Sequence, residues 1–273
     1  RDTLRFYDPQ MQAAVSERAA LELDMRAGLA QEQFELYYQP QVDNGRITGA
    51  EALLRWRHPR DGFVSPAQFI PLAEESGLIL PIGEWALQAA CERLALWAQQ
   101  PALAGLTLAV NVSPRQFHQS GFVPQVLAAL ARTGAEGSHL KLEMTEGLLL
   151  ADVEDTIAKM ATLRSYGVGF SLDDFGTGYS SLAYLKRLPL TQLKIDQSFV
   201  RDVLTDPNDA AIARTVVALA NSLGLGVIAE GVETEEQRAF LARNHCHSWQ
   251  GYLLSKPIPA ADFEQLVRDY NQG

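Results

Sequence analysis

The sequence predicts a (β/α)₈ barrel of the TIM type whose first strand runs antiparallel to the others. Three observations carry that prediction. Strand-like and helix-like segments alternate at intervals of roughly 20 to 35 residues, the pattern of βαβ units and a parallel sheet. About eight strands fall within about 240 residues, which suits a closed barrel better than an open doubly wound sheet. Asn44-Gly45 stands between two strand-like runs, and this dipeptide favours a tight hairpin turn whose central residues both need positive φ. No Gly-x-Gly-x-x-Gly follows a strand, so a dinucleotide-binding fold loses its main support.

Residues 1–30 are rich in Ala, Glu and Arg, with Met11, Val15, Leu21, Met25 and Leu29 at helical spacing. They read as a linker helix joined to the tail of an upstream domain, with the barrel occupying 31–273. Strands are expected at 34–40, 46–56, 106–110, 140–144, 168–172, 192–196, 226–229 and within 247–253. Between them, apolar residues recur at helical spacing over 84–99, 122–132, 153–166, 208–223 and 260–270. Ser113-Pro114 sets up a short helix through an N-cap and a first-position proline. Thr234-Glu235-Glu236-Gln237 has the form of a capping box.

The chain has 273 residues, 47% of them hydrophobic, enough for one barrel-sized core. Lys plus Arg number 23 against 33 Asp plus Glu, a net charge of −10, so DNA is not an expected partner. Two cysteines, Cys91 and Cys246, cannot make a disulfide framework or a cysteine zinc site. Cys91 shares a helix face with Leu87, Leu94 and Ala98 and reads as core. No apolar run approaches the ~20 residues of a membrane span. A reducing, cytoplasmic setting follows, any tether to the inner membrane being left to upstream regions. Beginning at Arg1, the chain reads as a piece of a longer protein.

The strand carboxyl ends carry Glu51, Asn111, Glu143, Asp173 with Asp174, Lys194 with Asp196, Glu230 with Glu233, and Gln250. In a barrel those ends converge on one face, where active sites lie. So many acids in one pocket need a cation. Carboxylate and amide oxygens without histidine or thiol suit Mg²⁺ or Mn²⁺ rather than zinc. Two ions bridged by Asp173 would use the whole set, and such a pair supports phosphoester hydrolysis. Arg55 lies on the Glu51 side of its strand and aims near the same pocket. Plainer readings stand beside these: Glu51 as a solvated strand residue, Asn111 as turn chemistry before Ser113-Pro114, Glu146 as a favourable charge at a helix start. Lys194 resists one, because a lysine between Leu193 and Ile195 needs a buried partner or a function. No histidine is assigned to catalysis.

The ordered set Tyr38-Gln39-Pro40, Glu51-Ala52-Leu53 through Trp56, Asn111-Val112-Ser113, Glu143 to Glu146, Asp173 to Ser181, Lys194-Ile195-Asp196, Glu230 to Thr234 and Gln250-Gly251-Tyr252 resembles the EAL domain, the bacterial cyclic di-GMP phosphodiesterase family. The resemblance covers about 20–268 and implies a barrel with an antiparallel first strand. It implies that Glu51, Asn111, Glu143, Asp173, Asp174 and Glu233 hold one or two Mg²⁺ or Mn²⁺ ions, with Ca²⁺ inhibitory. Glu230 matches the general base or water orienter, and Lys194 the group that steadies water or a phosphate oxygen. Gln39, Arg55 and Gln250 match ligand-contacting positions, Asp196 a supporting one. Glu146 matches the glutamate that holds the Asp-Asp-Phe-Gly loop, and a homodimer through the barrel and the 174–181 region is implied. Arg5-Phe6-Tyr7-Asp8-Pro9 resembles the tail of a diguanylate-cyclase-type (GGDEF) domain, so a cyclase or sensory partner upstream is expected. The expected activity is hydrolysis of cyclic di-GMP to pGpG. The alternatives are a catalytically silent cyclic di-GMP-binding regulatory module or another two-metal phosphoesterase.

Overall fold

Asn44 and Gly45 occupy positive φ, 47° and 79°, and reverse the chain between β1 (Phe34–Asp43) and β2 (Arg46–His58). The computed structural model describes residues 9–150, 152–176 and 182–272. Of these, residues within 1–35 and 54–82 form one compact unit, and those within 36–53 and 83–273 form the other. Most of the proposed upstream-tail motif, Arg5 to Asp8, lies outside the described residues.

The first unit contains α1 (Pro9–Ala30), β3 (Gly62–Val64), which pairs antiparallel with the end of β2, and α2 (Pro66–Ser76). Trp56 is fully buried between Phe34, stacked at 5.6 Å, and Phe69, edge-on at 5.7 Å. The sequence reading missed β3 and α2. Three residues of strand carry no periodicity, and Pro71 inside α2 interrupts the helical signal.

The second unit is the barrel. β4 (Thr107–Asn111), β5 (Leu140–Thr145), β6 (Gly169–Phe175), β7 (Gln192–Ile195), β8 (Gly226–Ala229) and β9 (Ser248–Trp249) follow in chain order. Parallel pairing runs from β2 through β4 to β9, and β1 closes the ring by pairing β2 and, antiparallel, β9. Along each strand the two faces alternate. Leu108, Val110, Leu142, Met144, Leu172, Leu193 and Ile195 join the apolar core cluster, while Glu51, Glu143, Ser171 and Lys194 are buried polar groups.

α3 (Ile79–Ala98) begins five residues before its expected start, because Pro81 falls in the first turn, where a missing N–H costs nothing. The helices α4 (Pro114–Phe117), α5 (Phe122–Thr133), α6 (Val153–Ser165), α7 (Leu182–Leu185), α8 (Gln197–Arg201), α9 (Pro207–Leu223), α10 (Glu235–Arg243) and α11 (Ala260–Gln272) complete the unit. Ser113 caps α4, and Thr234 with Gln237 forms the capping box of α10. Asp196, expected in a strand, instead caps α8 through the Ser198 N–H.

β9 falls within the expected 247–253 and ends at Trp249. A side chain at Gly251 would place its Cβ 2.1 Å from the Val232 carbonyl oxygen. Glycine there lets the chain leave β9 pressed against Val232, with the Val232 N–H donating to the Gln250 carbonyl at 3.1 Å. Gln250 is thereby fixed at the end of the strand.

Candidate active site

Lys194, fully buried on β7, pairs in register with Ile228 on β8, two residues before Glu230. Its Nζ lies 2.5 Å from Glu143 Oε2, 2.5 Å from Glu230 Oε1, 3.2 Å from Asp173 Oδ1 and 3.4 Å from Glu51 Oε2. Three strands and the residue that follows β8 thus deliver one carboxylate each to one ammonium. Amides hold Glu51 from both sides: Asn111 Nδ2 donates to Oε1 at 2.6 Å, and Gln250 Nε2 donates to Oε2 at 2.6 Å. Gln250 Nε2 also reaches Glu230 Oε1 at 3.1 Å.

The adjacent aspartates take different places because β6 slips against β7. Leu172 pairs with Leu193 but Phe175 with Ile195, so three steps on one strand match two on the other. This bulge is accompanied by a φ of +54° at Asp174. Asp173 turns to Lys194, and Asp174 hydrogen-bonds Asp196. Glu146, at the start of a 3₁₀ turn after β5, accepts the Gly176 N–H at 2.9 Å and so ties down the end of β6.

The EAL domain family model matches residues 22–257. The chain belongs to the EAL domain family. It is 48% identical over 264 residues to the bifunctional diguanylate cyclase/cyclic di-GMP phosphodiesterase MucR of Pseudomonas aeruginosa, covering 96% of this chain and 38% of that protein. It is 42% identical to the cyclic di-GMP phosphodiesterase NbdA of the same organism, covering 99% of this chain and 35% of that protein. A solved MucR phosphodiesterase structure, a c-di-GMP complex, superposes with a TM-score of 0.86 at 48% identity, covering 89% of this chain and 99% of that one. The chain therefore spans little more than a third of these curated relatives.

Electrostatics of this EAL domain follow from an imbalance. Four carboxylates surround one ammonium, which would leave three excess negative charges were all ionised. Burial, then the neighbouring Glu51 and Asp173 charges, pushes Glu143 up to about 8 despite Lys194. Burial and the other acids likewise hold Glu230 well above the carboxylate range. Glu51 differs: burial raises it, but Lys194 and hydrogen bonds from Gln250 and Asn111 outweigh that and hold it below its ordinary value. Burial and then the charges of Asp173 and Asp196 raise Asp174 to about 6. Burial lowers Lys194, yet its four carboxylates keep it well above 10.5.

These residues fit a hard divalent cation. Glu143 Oε1 is buried with no hydrogen-bond partner, an oxygen left without the donor that burial demands. Among the described residues no group of three or more His, Cys, Asp or Glu is already placed to hold a metal ion, and the Lys194 ammonium sits among the carboxylates.

Not every candidate reaches this cluster. Glu233 is exposed, and among the described residues its carboxylate makes no hydrogen bond or ion pair with the cluster. Gln39 is buried on β1 without a hydrogen bond to the cluster. The Arg55 guanidinium donates to the Leu54 carbonyl at 2.8 Å. Residues 177–181 of the proposed loop lie outside the described residues. One member was missed: Gln41 on β1 donates to Gln250 Oε1 at 2.9 Å. Its only signal was alternation with Gln39, which puts both on one strand face.

Proposed function

We propose that this EAL domain is a metal-dependent phosphodiesterase that hydrolyses cyclic di-GMP to linear pGpG. The observation that supports it most is the convergence of Glu51, Glu143, Asp173 and Glu230 on Lys194, with Glu143 Oε1 unbonded. The likeness to a phosphodiesterase structure solved with c-di-GMP supports the choice of substrate.

In this reading Glu51, Asn111, Glu143, Asp173, Asp174 and Glu233 hold one or two Mg²⁺ or Mn²⁺ ions, which when bound neutralise the carboxylates and polarise water and phosphate. Gln39 and Gln250 orient the dinucleotide. Water attacks one phosphorus and Glu230, 15% exposed and ionised once bound cations offset the burial and neighbouring acids that raise its pKa, takes its proton. Lys194 steadies the oxygens on which charge develops. The P–O3′ bond breaks, the 3′-oxygen takes a proton, and the product keeps a 5′-phosphate. A homodimer through the barrel and the 174–181 region, an upstream regulatory domain and a cytoplasmic setting belong to the same proposal.

The test is incubation with cyclic di-GMP and Mg²⁺ or Mn²⁺, following pGpG by chromatography. Product well above that of a Glu51→Ala control is expected; none would overturn the proposal, and binding without turnover would favour a silent binding module. Ca²⁺ is expected to bind and suppress turnover, since its looser coordination misplaces the attacking water. Equal rates in Ca²⁺ and Mg²⁺ would refute that part.

A further inference from the structure

Gln250 contacts two acids through one nitrogen. Its Nε2 lies 2.6 Å from Glu51 Oε2 and 3.1 Å from Glu230 Oε1. Its orientation is dictated by chemistry, because turning the amide over would set its oxygen 2.6 Å from a carboxylate oxygen. That choice leaves Gln250 Oε1 facing the barrel wall, where a buried acceptor requires a donor. Gln41 supplies it: its Nε2 donates at 2.9 Å, across 209 residues of sequence. Both amides are buried, Gln41 at 3% and Gln250 at 4% exposure, so the pair lies out of bulk solvent.

We propose that Gln41 is a positioning residue which, by occupying Gln250 Oε1, fixes the Gln250 amide so that both its protons point at Glu51 and Glu230. The inference rests on the phosphodiesterase reading of those two acids. A purely structural pair would behave differently: removing Gln41 alone would cost stability by leaving Gln250 Oε1 unsatisfied, while kcat and Mn²⁺ affinity would stay near wild type. An orienting role also depends on polarity. Gln41→Glu has nearly the same shape but offers only acceptors when ionised, so it repels Gln250 Oε1 and favours the overturned amide. Gln41→Met merely removes the donor.

The experiment compares wild type, Q41M, Q41E, Q250M and Q41M/Q250M by steady-state kinetics on cyclic di-GMP and by calorimetric titration with Mn²⁺. Losses at groups that support ligands typically run about 10- to 100-fold. Q41M is expected to lower kcat about tenfold with KM within about twofold, and to weaken Mn²⁺ binding by a similar factor. Q41E should be worse than Q41M. The double variant should match Q250M within about twofold, because Gln41 acts only through Gln250. Wild-type kcat and Mn²⁺ affinity in Q41M would overturn the proposal, as would losses that multiply in the double variant. Should Q41M lack a native circular dichroism spectrum, Q41N, which keeps the amide but cannot reach Gln250, is judged by the same criteria. If wild type itself shows no turnover, the phosphodiesterase reading fails, while the Mn²⁺ series still decides whether Gln41 organises the site.

Discussion

Two lysines in the same barrel meet opposite fates. Lys194 on β7 is surrounded by four carboxylates and held well above 10.5, although burial alone would lower it. Lys141 on β5, two residues before Glu143, donates among the described residues to the neutral Gln192 Oε1 at 2.8 Å. There burial dominates, the Lys194 charge adds to it, and the pull of Glu143 is too weak to prevent a lowered pKa. The carboxyl end of the barrel thus favours the charged form of its lysine, and the level beneath it disfavours the charged form. Burial sets the penalty in both cases, and the partners decide the direction of the net shift.

The largest test of this contrast is Lys194→Met. Removing the one cation from four buried acids is expected to cost about 3 to 5 kcal/mol of metal-free stability. Turnover should fall at least about 10²-fold. Urea unfolding without divalent ions, paired with the hydrolysis assay, measures both. Stability within about 1 kcal/mol of wild type would show that the ammonium does not hold the acids together.

Lys141→Met should do the reverse, leaving kcat within about threefold and raising stability by up to about 1 kcal/mol. The sign of its pH dependence is fixed. A folded pKa below the ordinary 10.5 means that the unfolded chain binds more protons between the two values, so wild-type stability rises with pH across that window. The advantage of Lys141→Met should therefore be greatest below the folded pKa and vanish towards 10.5. A gain that grew with pH would contradict a depressed lysine.

The smallest effect tests whether burial alone acts elsewhere in the barrel wall. Burial pushes the Cys91 and Cys246 thiols up to about 12. At pH 8 neither should react with iodoacetamide in the native state, and both should react in denaturant. Native alkylation would show that the wall opens.

Much of this was legible because the governing signals are local. Asn44-Gly45 states its turn, Ser113 and Thr234 state their helix starts, and the acids after short apolar runs mark strand ends. Gln41 was not legible, because its partner lies 209 residues away and a glutamine on a strand carries no signal of its own. That Asp173 and Asp174 both stay at the end of β6, one on Lys194 and the other on Asp196, was also hidden. Strict alternation would send neighbours to opposite faces, and the bulge that alters this arises from pairing with β7. The start of α3 and the whole of α2 were obscured by Pro81 and Pro71, whose tolerance depends on position within the helix.

By itself, then, the sequence determined which residues would stand at the strand ends and that their charges would need a cation, because backbone periodicity and turn chemistry act over a few residues. Only the tertiary structure decided which charges face one another. It set Lys194 among the acids and Lys141 beside Gln192, and it gave Gln250 the donor from Gln41. Those distances come from barrel closure, which brings the first strand against the last.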